Sequence, residues 1–413
     1  MRPPMKPLKP LDDALAELLA CAAPLDGFDT VDTFDADGRV LAQAAASPLQ
    51  VPPQDNSAMD GYAVRCADVT QVGTVLRVSQ RIAAGSVGAP LQPGTAARIF
   101  TGASIPPGAD AVLMQEDCSV QDDGSVRINA VPQLHQWIRR AGEDIALGAE
   151  VLRAGTRLTP AELGLAASIG LAQLQVARRP RVALFSTGDE LVMPGEVAPQ
   201  DMRPGSIYNS NRFFLRALLL RMGCTVTDMG IVPDQREATV EALRAASVHH
   251  DVILTSGGVS VGEEDHLKPA VQALGGLDLW QIGMKPGKPF AYGHVDGVQG
   301  RVHFLGLPGN PVASFVTFLL LVRPFLLRLQ GVQNVAPVAV PMRADFARPR
   351  GDARREFLRV RRNDQGGLEL FANQSSGVLT STAWGDGVVD NPVGQTIAPG
   401  DTVHFISFAE LLA

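Results

Sequence analysis

The chain has 413 residues, 46% of them hydrophobic and 19% charged, and a formal net charge of −7. That length suggests roughly two to four domains, and the composition excludes a disordered chain and a broad basic surface for nucleic acid. The four cysteines, Cys21, Cys66, Cys118 and Cys224, form no C-x-x-C pair, so isolated buried thiols of a reducing compartment are expected.

The first apolar stretch, LDDALAELLACA, is interrupted by Asp12, Asp13 and Glu17 and reads as an amphipathic helix, not a signal peptide. Residues 1–50 thus open a helical or linker region, and residues 148–177 return to it. There Thr159-Pro160-Ala161-Glu162 marks a helix start, and this helix is expected to pack against the first. Between them, in residues 51–147, Gly, Pro and Asp recur among short β-like runs such as TVLRVSQRI and AARIF, which predicts an inserted small β domain.

Residues 178–330 alternate strand and helix. RVALFS, TVTDMGIV, DVILTS, LDLWQIGM and RVHFLGL read as strands. NRFFLRALLLRMG, QREATVEALRAASV and NPVASFVTFLLLVRPFLLRL read as helices. Such alternation implies a doubly wound, mostly parallel α/β domain with helices on both faces. The apolar run from Val312 to Leu321 is too short to span a bilayer, so a buried helix and a soluble, cytoplasmic protein with no membrane contact are expected. Residues 331–413 are again β-like and suggest a small C-terminal barrel or sandwich.

In a parallel sheet, ligands sit outside the carboxyl ends of the strands. The segments after four of these strands carry Gly188 and Glu190, then Asp234, then Ser256, Gly257, Gly258, Ser260, Gly262 and Asp265, and last Pro308, Gly309, Asn310 and Pro311. Glycine admits close backbone approach, so main-chain N–H groups meet phosphate oxygens. Carboxylates beside a phosphate make sense around Mg²⁺, which takes one or two of them together with phosphate and water. A tight turn or a helix cap is the bland role for any one of these residues; their gathering on one edge favours a site. Lys285 and Lys288, in a stiff Pro/Gly frame, suit an oxyanion. The histidines have no metal-ligand spacing.

At these residues the chain resembles the molybdopterin molybdenumtransferase family, the bacterial MoeA proteins and the E domain of homologues such as gephyrin. The resemblance is carried by VPPQDNSAMDGYAV (51–64), ARIFTGASIPPGADAVLMQED (97–117), AGEDI (141–145), RVALFSTGDEL (181–191), TSGGVSVGEEDHLK (255–268), MKPGKPFAYG (284–293) and GLPGNPVAS (306–314). It implies that adenylylated molybdopterin and molybdate are the small-molecule substrates, that molybdenum joins the dithiolene and that AMP leaves. It further implies site roles for Asp60, Thr101, Asp144, Glu190, Asp234 and Asp265, with Mg²⁺ on Glu190, Asp234 and Asp265. Molybdate would meet Lys285 and Lys288 together with a C-terminal Arg and Ser, to which Arg355 and Ser376 are the nearest matches. A homodimer with its cleft between subunits is implied too, with a molybdopterin adenylyltransferase and molybdoenzyme maturation proteins as partners. The alternatives are an adenylyltransferase and a non-enzymatic scaffold.

Overall fold

The computed structural model describes residues 8–258, 266–298 and 300–412. They form two bodies, one from the described residues of 8–29, 38–42 and 176–412, the other from residues 30–37 and 43–175.

The centre of the first body is a six-stranded sheet. Its strands are β1 (Arg181–Thr187), β2 (Thr225–Val232), β3 (Val252–Ser256), β4 (Gly275–Gln281), β5 (Pro289–Gly297) and β6 (Gly300–Leu307), in the order β2-β1-β3-β6-β5-β4. The first four in that order are parallel; β5 runs antiparallel to β6, and β4 antiparallel to β5. The expected mostly parallel sheet is present, with an unforeseen antiparallel strand, β5, inserted near one edge.

Side chains of a strand alternate between faces, and the core divides accordingly. Val182, Leu184, Val252, Leu254, Leu305 and Leu307 pack under the helices Leu11–Ala20, Ser210–Arg221 and Pro311–Leu329. Ala183, Phe185, Ile253 and Phe304 pack under Arg236–His249 and Leu267–Leu274. Helices therefore cover both faces.

The helix Pro311–Leu329 is apolar enough to cross a membrane, but 89% of it is buried in the protein, which marks it as a core helix. Pro324 has no N–H to give and its ring crowds the carbonyl four residues back. The helix widens to a π turn at Phe318–Val322 just before it, which accommodates both.

At the amino ends of the strands, away from the Gly loops, Asp251 binds Arg178 at 2.8 Å and Arg181 at 3.1 Å. Burial opposes its ionisation, but the hydrogen bonds from both arginines outweigh it and hold the carboxyl at about 2. A depressed native pKa stabilises the protein above the unfolded value, near 4, and that contribution is lost as pH falls towards 2. Asp251→Asn is expected to cost roughly 2 kcal/mol at neutral pH and to flatten the stability curve between pH 4 and 2. Urea unfolding across that range checks it; an unchanged acid limb contradicts it.

The C-terminal part of this body is a second sheet built from Arg355–Arg362, Gly387–Asn391, Thr402–Ser407 and Val340–Arg343, closed over Phe346, Leu358, Val360 and Phe405. One of its strands is borrowed: Met284–Lys285 pairs parallel with it, Met284 opposite Arg355 and Lys285 opposite Glu356.

The second body is a six-stranded sheet around Gly61–Val64, Thr95–Ile99 and Val75–Ile82, with apolar cores on both of its faces. Residues 148–177 read from sequence as a return to the helical or linker region. They hold a helix only at Pro160–Ser168, flanked by the strands Glu150–Leu152 and Gln173–Ala177. Its start has the foreseen chemistry: Thr159 accepts from Ala161 N–H, and Glu162 accepts from Thr159 N–H at 2.9 Å. It packs on Glu150–Leu152 and the turn Thr33–Asp35, while Leu11–Ala20 packs on the core helix of the first body. All four cysteines are free. Burial pushes the Cys224 thiol up to about 12, whereas Cys21 is exposed, unlike the buried thiol expected there.

Candidate active site

The parallel strands end in loops on one edge, where a cavity of about 990 Å³ opens. Its wall follows the strand order. At one end stands Asp234, after β2. Glu190 and Gly188 follow, after β1; then Gly257 and Gly258, after β3; then Pro308 to Pro311, after β6. Because β5 is antiparallel, its first residue rather than its last reaches this edge, and that brings Lys285 to Lys288 to the far end. The edge thus runs from carboxylates to cations.

Glycine is required twice on this path. Gly257 has φ +93°, and a Cβ there would stand 2.8 Å from the Thr187 carbonyl oxygen; Gly287 has φ +111°, and its Cβ would meet Thr317 Oγ1 at 2.4 Å. The first keeps the loops after β1 and β3 close, and the second seats the lysine loop on the core helix.

Glu190 and Asp234 make no side-chain hydrogen bond or ion pair among the described residues. Two unpaired carboxylates beside Gly-rich loops are a donor set that fits Mg²⁺ in company with phosphate oxygens. Among the described residues no group of three or more His, Cys, Asp or Glu forms a closed metal cage. Ser260, Gly262 and Asp265 lie outside the described residues.

The two lysines differ. Lys285 is paired with Asp352 at 2.7 Å and with Glu356 at 3.3 Å, so its charge is already engaged within the protein. Lys288 has no partner among the described residues. In the C-terminal sheet, Arg355 is turned away, bound to Asp390 and Asp12. Its neighbour Arg354 lines the cavity in its place, and Ser376 lines it as well. The Ser376 carbonyl accepts from the amide of Val312 at 2.9 Å, which ties that loop to the start of the core helix.

The YNSN segment was missed. Tyr208, Asn209 and Asn211 all line the cavity, and Asn211 donates to Ser256 Oγ at 2.7 Å and to the Gly309 carbonyl at 2.8 Å. An Asn at a helix start is a common cap, so nothing in the sequence marked it as a brace between two loops.

Asp60 and Thr101 come together in the second body: Asp60 Oδ1 accepts from the Thr101 amide and hydroxyl, both at 2.8 Å. These bonds, the amide first, hold the Asp60 carboxyl below its usual range. Asp144 is exposed, and its amide donates to the Val51 carbonyl at 3.0 Å. Next to it, Asp55 accepts from Arg140 and from the Ala141 amide, joining the 51–64 and 141–145 motifs.

Family models match three consecutive stretches. The MoeA N-terminal region (domain I and II) matches residues 9–170, a probable molybdopterin binding domain matches 183–328, and the MoeA C-terminal region (domain IV) matches 339–408. A molybdopterin molybdenumtransferase of Haemophilus influenzae is 38% identical over 390 residues, 92% of this chain and 93% of that one. One from a Nostoc species is 36% identical over 89% of this chain and 86% of that one. The crystal structure of a molybdopterin biosynthesis MoeA protein from Pyrococcus horikoshii, 27% identical, superimposes with a TM-score of 0.84 over 97% of this chain and 100% of that one. With its three regions matched in order and relatives alike over nearly their whole length, the chain belongs to the MoeA family.

Proposed function

We propose that the protein is a molybdopterin molybdenumtransferase, which moves molybdenum from molybdate to the dithiolene of adenylylated molybdopterin with release of AMP. The observation that carries this is the charge gradient along one edge. Phosphate-type glycine loops and the free carboxylates of Glu190 and Asp234 lie at one end, and Lys285, Lys288, Arg354 and Ser376 at the other. Three cations line this end, Lys285, Lys288 and Arg354; behind them Lys285 and Arg354 share Asp352 and Glu356 is matched by Arg348, so the end keeps a surplus of positive charge, the complement of a tetrahedral metal oxyanion. The names of the relatives support the same reaction.

Glu190, Asp234 and, from its motif, Asp265 would hold Mg²⁺, which neutralises phosphoanhydride charge when bound. The chain's own groups do the positioning. Gly188, Gly257, Gly258 and Gly309 let the backbone meet the phosphates. Lys288 and Arg354 orient the oxyanion beside them, and no protein nucleophile is needed. We extend the reading to a cytoplasmic homodimer whose Asp60, Thr101 and Asp144 complete the partner's cleft. It would receive its substrate from a molybdopterin adenylyltransferase and pass its product to molybdoenzyme maturation proteins.

The test is direct. Purified protein given adenylylated molybdopterin, molybdate and Mg²⁺ is expected to release AMP and yield active molybdenum cofactor. ATP-dependent labelling of molybdopterin without molybdate would instead identify an adenylyltransferase, and no turnover in either assay would leave a scaffold.

A further inference from the structure

Two of the cations that line the oxyanion end of the cavity share one carboxylate, which stands outside the lining itself. Asp352 Oδ2 accepts from Lys285 Nζ at 2.7 Å, and Oδ1 accepts from the Arg354 amide at 3.1 Å and from its Nε at 3.3 Å. One side chain therefore engages two of the three cations that line this end. Its role differs from that of Glu356, the second partner of Lys285. Glu356 is only 1% exposed, sits on a strand in register with Lys285 and is gripped by Arg348 at 2.5 Å, so it belongs to the fold. Asp352 lies in the loop before that strand, and its side chain is 20% exposed. Burial works against its charge, but Lys285 and the Arg354 amide keep its carboxyl below the usual range, so it is ionised wherever the enzyme would operate.

We propose that Asp352 is a positioning residue that acts as an internal counter-ion: it holds Lys285 and Arg354 while the cavity is empty, yields them to an entering tetrahedral dianion, and reclaims them when that charge leaves. This rests on the reading of the lysine end as the oxyanion site. A tethered carboxylate competes with every incoming anion at high effective concentration. It keeps the cations in place without a ligand and weakens the hold on molybdate, so the metal is not trapped. Tight ground-state binding alone does nothing for transfer.

The test is calorimetric titration of the full-length protein with sodium molybdate at low salt. Asp352→Asn keeps the shape and removes one negative charge. It is expected to tighten molybdate binding about tenfold or more, since a unit charge within several ångströms of a dianion is worth that much even in water-like surroundings. Asp352→Glu, which keeps the charge, is expected to stay within about threefold of the native protein. If native protein binds molybdate, Lys288→Ala weakens it, and Asp352→Asn leaves affinity unchanged or lower, Asp352 is only a structural support for Lys285 and the inference is overturned. If native protein takes up no molybdate, or Lys288→Ala binds it equally well, the oxyanion reading itself fails and the inference falls with it.

Discussion

Replacing Lys288 with alanine is expected to weaken molybdate binding by about 100-fold, the usual cost of removing one partner of a close charge pair. The same change is expected to leave the melting temperature within about 2 °C, because surface substitutions that break no native contact usually cost under about 0.5 kcal/mol. The contrast with Lys285 is the informative part. Lys285→Ala strands Glu356, 1% exposed, with Arg348 as its remaining cation, and leaves Asp352 with Arg354 alone. That is expected to cost about 2 kcal/mol of stability as well as affinity, since a buried charge that loses a partner is penalised. Titration calorimetry and urea unfolding on the two variants separate the roles. A Lys288→Ala protein that binds molybdate normally, or a Lys285→Ala protein of native stability, would reverse the assignment of free and structural lysine.

Legibility in the sequence follows how local each determinant is. The strands Arg181–Thr187 and Val252–Ser256 are buried on both faces, so they read as unbroken apolar runs whose Gly-rich exits fall on one edge. The strand Pro289–Gly297 is PFAYGHVDG, with glycine, histidine and aspartate breaking any pattern, so its sequence does not announce a strand. Yet its antiparallel direction is what turns the lysine loop into the cavity. The choice between Arg354 and Arg355 was a question of one residue. Arg354 lies in the bend just before the strand that Arg355 begins, and one step along the chain exchanges cavity for exterior. The pairing of Met284 with Arg355 and of Lys285 with Glu356 decides it, and that pairing joins segments some 70 residues apart, beyond any local signal. The ion pairs of Asp352 and Glu356 are hidden for the same reason.

Asn211→Ala is expected to act on stability and turnover together. Asn211 is 8% exposed, and its side-chain amide spends its donors on Ser256 Oγ, at the end of β3, and on the Gly309 carbonyl, in the loop after β6. Alanine leaves both acceptors in a poorly solvated place without their partner, which is expected to cost about 2 kcal/mol. The same two bonds fix the distance between the phosphate-type loop at Gly257 and the helix start at Pro311. One further contact joins these loops, from the Gly257 amide to the Leu307 carbonyl at 3.1 Å. Loosening them by an ångström misplaces the phosphate relative to the carboxylates, and errors of that size cost about 100-fold in rate. Asn211→Asp is a sharper variant: a carboxylate would face the Gly309 carbonyl, acceptor against acceptor, so it is expected to be worse than alanine despite its nearly identical shape. AMP release measured as kcat/KM, alongside urea unfolding, checks both effects. If Asn211→Ala unfolds like the native protein and turns over at its rate, the brace is dispensable and the loops are held by their own backbone.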